Sequence, residues 1–201
     1  MFKTVQYFES EIAKFFKAPY AVAVDCCTHG IELCLRYTKP GYITVPTNTY
    51  ISIPFTCEKL GIKYSWEEKK WNDFYYLGNT NIIDAAVLWK QDSYIPGTLM
   101  SLSFQFKKHL SLGRGGMILT DNKEAYQTLQ KMKYDGRDLS TPWATQDIDT
   151  VGYHYYMTPE TAQLGIDKLP DAIKSTSASW SYKDYPYLPD FTVFRRDNAS
   201  N

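Results

Sequence analysis

The feature that most constrains this chain is its alternation of short, wholly apolar strands with helical spacing. Tyr20-Ala21-Val22-Ala23-Val24 carries no charged position, the mark of a strand buried on both faces. Asp25-Cys26-Cys27-Thr28-His29-Gly30 turns the chain. Ile31, Cys34 and Leu35 then fall at helical spacing. Tyr42-Ile43-Thr44-Val45 is the next strand, followed by a turn through Tyr50 and a helix to about Leu60. Before them, residues 4 to 17 read as an amphipathic helix with Phe8, Ile12, Phe15 and Phe16 on one face and Thr4 as its N-cap. Strands alternating with helices predict an α/β fold, a three-layer α/β/α sandwich with a mostly parallel sheet.

The pattern continues down the chain. Ile62 to Trp66 and Phe74 to Leu77 read as strands, with a charged, solvated connection from Trp66 to Trp71 between them. Asn81 to Ala86 is an apolar strand ending in a carboxylate, Asp84, at the rim where α/β sheets bind ligands. Leu99 to Phe106 and Met117 to Leu119 are strands flanking Lys107, Lys108 and the glycine turn Gly113-Arg114-Gly115-Gly116. A helix follows from Asn122 to about Tyr134, then a polar loop to Asp149. Thr158 as N-cap and Pro159 at the first helical position open the last helix, with Ala162, Gly165, Ile166 and Leu169 as its apolar stripe. Residues 1–170 are thus expected to form one domain, and 171–201, rich in Ser, Tyr and Pro, an extended arm over the surface or onto a partner.

Two places carry chemistry. The turn after Val24 leads into a helix N-terminus, whose free N–H groups and partial positive charge suit a phosphate. A lysine just past a buried strand can be partly desolvated, which lowers its pKa and frees a neutral amine for attack on a carbonyl. Composition excludes other classes. Lys plus Arg equals Asp plus Glu, at 22 each, so no general attraction to nucleic acid or membrane is expected. Cys26, Cys27, Cys34 and Cys57 fit no zinc spacing, and no metal is expected. No signal peptide or membrane-length apolar run is visible, so a reduced, cytoplasmic setting is the expectation.

The run Ser103-Phe104-x-x-x-Lys108-x-x-x-x-Gly113-x-Gly115-Gly116 resembles the lysine signature of the DegT/DnrJ/StrS sugar aminotransferases, pyridoxal 5'-phosphate (PLP) enzymes with the aspartate aminotransferase fold. Lys108, and not Lys107, lies five residues after the serine and five before the first glycine. The resemblance implies that Lys108 holds PLP as a Schiff base. It implies further that Thr28, His29 and Ser103 hold the phosphate, that Tyr50 stacks on the pyridine ring, and that Asp84 pairs with the ring nitrogen. It makes His154 a donor to the phosphate of a partner subunit, and hence implies a homodimer. Amino-group transfer from an amino acid, glutamate above all, to a nucleotide-linked keto sugar is the implied reaction. Five positions depart from the family's pattern: Cys27 replaces a glycine, Val87 a Gln or His, Arg114 a Glu, His154 an Asn and Tyr156 an Arg. Complete members are longer and carry a small C-terminal domain, so this chain is expected to supply the PLP-binding large domain alone. The alternative is a non-catalytic PLP-binding or scaffold subunit of the same descent.

Overall fold

A computed structural model gives the fold and describes residues 2–195. Its helices are α1 (Lys3–Phe16), α2 (Cys27–Thr38), α3 (Ser52–Leu60), α4 (Lys123–Met132) and α5 (Pro159–Lys174). Its strands are β1 (Tyr20–Val24), β2 (Tyr42–Pro46), β3 (Lys63–Glu67), β4 (Tyr75–Tyr76), β5 (Ile82–Asp84), β6 (Leu99–Ser103) and β7 (Gly116–Thr120). Five strands form one sheet in the order β1-β7-β6-β5-β4, and β2 and β3 pair separately.

Successive strand residues point to opposite faces, and both faces are covered. Ala21, Ala23, Ile83, Met100, Leu102, Met117 and Leu119 pack under α1 and α5 with Phe8, Ile12, Phe16, Ala162 and Leu169. Val22, Val24, Ile82, Leu99 and Ile118 pack against Ile31, Cys34 and Leu35 of α2 and Ala125 and Leu129 of α4. The three-layer sandwich expected from the alternation is therefore the observed architecture. The sheet itself is mixed. Only β5/β6 and β2/β3 are parallel, whereas β1/β7, β6/β7 and β4/β5 are antiparallel. The reason is the connections. A parallel neighbour needs a long crossover, but β4 joins β5 through a five-residue turn, and β6 joins β7 through the lysine-bearing turn with no helix between.

Helix ends differ from expectation in two places. Phe2, not Thr4, occupies the N-cap of α1, without a side-chain cap. Thr158 does cap α5, its hydroxyl accepting from the Thr161 N–H at 3.3 Å, with Pro159 next. That helix then runs through Pro170 to Lys174 rather than stopping near Leu169. Its Ala172 carbonyl accepts from Trp89 Nε1 at 3.0 Å and lies 2.8 Å from His109 Nε2, which anchors the last turn. The arm expected from residue 171 thus begins after Ser175, and its residues 196–201 lie outside the described part. Gly165 earns its place by contact: a Cβ there would lie 2.6 Å from the Phe8 ring, so only glycine lets α5 approach α1 this closely.

Candidate active site

Strand register brings the site together. Val24 at the end of β1 pairs with Gly116, Gly116 pairs with Ser103 at the end of β6, and Ser101 pairs with Asp84 at the end of β5. Residues from four distant parts of the chain therefore meet at one end of the sheet. Gly116 permits the closest approach. A Cβ on it would lie 2.6 Å from both the Cys26 carbonyl carbon and the Cys27 nitrogen, so β7 can press on the β1–α2 turn only as glycine. The tight packing sought in a glycine at position 27 is thus supplied from across the sheet.

A cavity of about 410 Å³ opens there. Thr28, Tyr50, Asp84, Ser103 and Lys108 all line it, together with Cys26, Cys27 and Lys107. Lys107 is exposed and Lys108 half-buried. Burial lowers the Lys108 amine below the ordinary lysine range, against the opposing pull of Cys27 and Asp84.

Asp84 is buried. Its Oδ2 accepts from the Tyr75 hydroxyl at 2.6 Å and its Oδ1 from the Ala86 N–H at 3.0 Å. Burial raises its carboxyl above the usual range, only partly offset by those bonds and by the Lys108 charge. The Tyr75 hydroxyl also meets the Thr49 hydroxyl, so the carboxylate is fixed by a chain of buried partners. Tyr75 was not foreseen; one tyrosine among 17 gives no sequence signal. Trp71 is a correction of the same kind. It is not solvated but 5% exposed, donating its ring N–H to the Asn48 carbonyl at 2.9 Å and lining the cavity.

At the opposite side, the N-cap of α2 is Cys26, whose sulfur accepts from the His29 N–H at 3.4 Å. Thr28 therefore sits inside the first turn, with its hydroxyl 2.9 Å from that of Ser52. Tyr50 is 54% exposed at the cavity mouth.

Two of the expected residues do not line the cavity. His29 is bound 2.7 Å from Asp25 through Nδ1 and stacked on Tyr155 at 3.7 Å. Arg114 holds the other Asp25 oxygen at 2.7 Å, which gives the arginine between the glycines a place. Burial alone would lower the His29 pKa; hydrogen bonds to Asp25 and Cys26, with their charges, overcome this and raise it to about 9. A folded-state pKa above the unfolded value of about 6.5 stabilises the fold fully below that pH, and the contribution is lost as pH rises through about 9. Urea unfolding across this window should show that loss, with a flatter slope in His29→Gln; equal slopes would contradict it. His154 is exposed, its ring 2.9 Å from Asp135.

The residues present suit PLP on the structure's own terms. A buried carboxylate with too little compensating positive charge and a desolvated amine face one cavity, and a helix N-terminus opens beside them. A protonated ring nitrogen, an aldehyde and a phosphate complement these three features in turn.

The architecture is that of the PLP-dependent aminotransferase fold. The structure matches AtS13 from Actinomadura melliaura with a TM-score of 0.73 at 18% identity, covering 85% of this chain and 60% of that one. It matches the sugar aminotransferase CalS13 from Micromonospora echinospora with a TM-score of 0.71 at 15% identity, covering 86% and 61%. The chain thus spans about three fifths of the length of these solved relatives. The model of the DegT/DnrJ/EryC1/StrS aminotransferase family matches residues 1–64 and 96–179, and the chain belongs to that family. The uncharacterized protein MJ1066 of Methanocaldococcus jannaschii is 32% identical over 83 residues, which is 38% of this chain and 22% of that protein. The family match includes Thr28, Tyr50, Ser103 and Lys108 and passes over the segment that carries Trp71, Tyr75 and Asp84. Among the described residues, no helix is long and apolar enough to cross a membrane.

Proposed function

We propose that the chain binds PLP on Lys108 and transfers an amino group from an amino acid, glutamate first, to a nucleotide-linked keto sugar. One observation carries this reading: Lys108 and Asp84 face a single cavity at the N-terminus of α2. Bound PLP would supply an electron-accepting ring for the carbanion of the amino donor. Asp84 would hold a proton on the ring nitrogen, oriented by Tyr75 and the Ala86 N–H. Thr28 and the first N–H groups of α2 would bind the phosphate, with Ser103 at the same wall. The His29 cation just outside the cavity favours the same charge. Tyr50 offers a flat face at the mouth. Lys108, with its amine partly desolvated, is the group placed to take and return a proton at the donor's α-carbon.

A homodimer is part of this reading, because His154 lies exposed beside Asp135 and outside its own chain's cavity, on a surface a partner can meet. A cytoplasmic setting suits four cysteines that remain thiols.

The test is a spectral titration of PLP-loaded protein with L-glutamate. A saturable loss of the lysine-bound cofactor's absorbance, with 2-oxoglutarate released in equal amount, supports the transferase. Cofactor bound at Lys108 but inert to every amino donor would leave the non-catalytic subunit as the reading.

A further inference from the structure

The chain beyond α5 returns to the cavity. Hydrogen bonds to the 71–73 and 47–48 segments fasten it, among them that of the Trp180 N–H to Asp73 Oδ1 at 3.2 Å. The Asp73 N–H donates to the Trp180 carbonyl at 2.8 Å and the Tyr182 N–H to the Trp71 carbonyl at 3.1 Å. The Asn48 side-chain amide donates to the Tyr185 carbonyl at 3.0 Å, and the Leu188 N–H to the Thr47 carbonyl at 2.8 Å. Leu188 is fully buried, the one apolar anchor of this stretch.

Between these fastenings, Trp180, Asp184 and Tyr185 line the same cavity as Lys108 and Asp84. The Lys108 amine lies 5.3 Å from the centre of the Trp180 ring, within reach of a cation–π contact. Tyr185 packs against Trp71 at 5.4 Å, and burial, then the Asp84 charge, pushes its phenol up. Trp180 also lines a second cavity of about 140 Å³, shared with Lys108 and Ser103. None of residues 180–188 falls within the family match, which ends at 179. Trp180, Asp184 and Tyr185 line the cavity from outside the matched segments, as do Trp71, Tyr75 and Asp84.

We propose that residues 180–188 are a strap that closes one wall of the cofactor site, with Trp180 and Tyr185 as PLP-binding residues and with strap docking setting the rate of PLP exchange. The inference rests on the PLP reading above. Its physical basis is enclosure. Binding cavities gain affinity by burying most of a ligand between apolar walls with a few placed polar groups, and here two aromatic rings close the side that α2, β5 and the lysine turn leave open. One buried leucine and hydrogen bonds to two short segments hold the strap, so it can open as a local unit while the core stays folded.

The experiment uses the full-length, PLP-loaded protein and follows PLP release into excess apo-acceptor enzyme. Leu188→Asp withdraws the anchor without touching the cavity lining, and Asn48→Ala withdraws one fastening. Trp180→Ala removes the ring over Lys108. In Leu188→Asp and Trp180→Ala, release is expected to quicken, and the dissociation constant to rise, by about tenfold or more. Leu188→Met should stay within about twofold of wild type, and Asn48→Ala should fall between. Hydrogen exchange reports strap and core amides separately. Release rates within about twofold of wild type in all three weakened variants, with core amides protected, overturn the strap. Should Leu188→Asp fail to fold, Asn48→Ala and Trp180→Ala decide alone. Wild-type protein that takes up no PLP overturns the functional reading itself, a result separate from normal uptake with strap-independent release.

Discussion

Lys108→Ala should yield no PLP-modified peptide after borohydride reduction, whereas Lys107→Ala should yield the same modified peptide as wild type. The two lysines are neighbours in sequence and both line the cavity, so charge alone does not separate them. Environment does. Lys107 is exposed, its amine near the Phe106 ring at 5.8 Å. Lys108 is half-buried, faces Asp84 and Cys27, and has its pKa drawn down first by desolvation. A neutral amine is the nucleophile for an aldehyde, and the desolvated lysine has more of it near neutral pH. Loss of Lys108 also removes the group proposed to move the donor's α-proton. Transfer from glutamate should therefore drop by about a hundred- to ten-thousandfold, the usual weight of a general base. Peptide mass spectrometry after reduction settles which lysine is modified. A modified Lys107 in wild type would contradict the assignment.

Much of this was legible in the sequence because local patterns encoded it. Apolar strands with alternating helical spacing fixed two covered faces, and Ser103, Lys108 and the glycine turn lay within one short segment. What was not legible depended on pairings across long separations. The direction of β7 follows from a turn that has no helix in it, a property of the connection and not of the apolar pattern of either strand. Gly116 mattered through contact with Cys26 and Cys27, 90 positions away in the chain for the first of them. Trp71 reaches the site from a segment whose charges read as solvated, and Tyr75 from a short strand that nothing in its local pattern ties to Asp84. Trp180 and Tyr185 come from a stretch without periodicity, where backbone fastening, not an apolar stripe, decides position.

The buried pair Glu9–Lys133 was equally hidden, and breaking it should give a large loss of stability. Both side chains lie in the core, at 6% and 2% exposure, with Lys133 Nζ 2.7 Å from Glu9 Oε1. That oxygen also accepts from the Ala23 N–H at 2.7 Å, and Gln130 donates to both carboxylate oxygens, at 3.1 and 3.2 Å. One carboxylate thus ties α1 to the middle of β1 and to the end of α4, and β1 leads directly into the turn before α2. Lys133→Met would leave the carboxylate buried without its cation. The expected loss is about 3–5 kcal/mol in urea unfolding, the usual result of removing one partner of a buried pair. Glu9→Leu alone strands the Lys133 ammonium and the Ala23 N–H and should lose a similar amount. The double variant Glu9→Leu/Lys133→Met removes both charges together, so its loss should be well below the sum of the singles, with the Ala23 N–H and the Gln130 side-chain amide left unpaired at about 1–3 kcal/mol each. Additive losses would mean that the two groups do not act as a pair. Because β1 positions the turn proposed to hold the phosphate, each single variant should also bind PLP more weakly, and the double variant should recover part of that binding along with the stability.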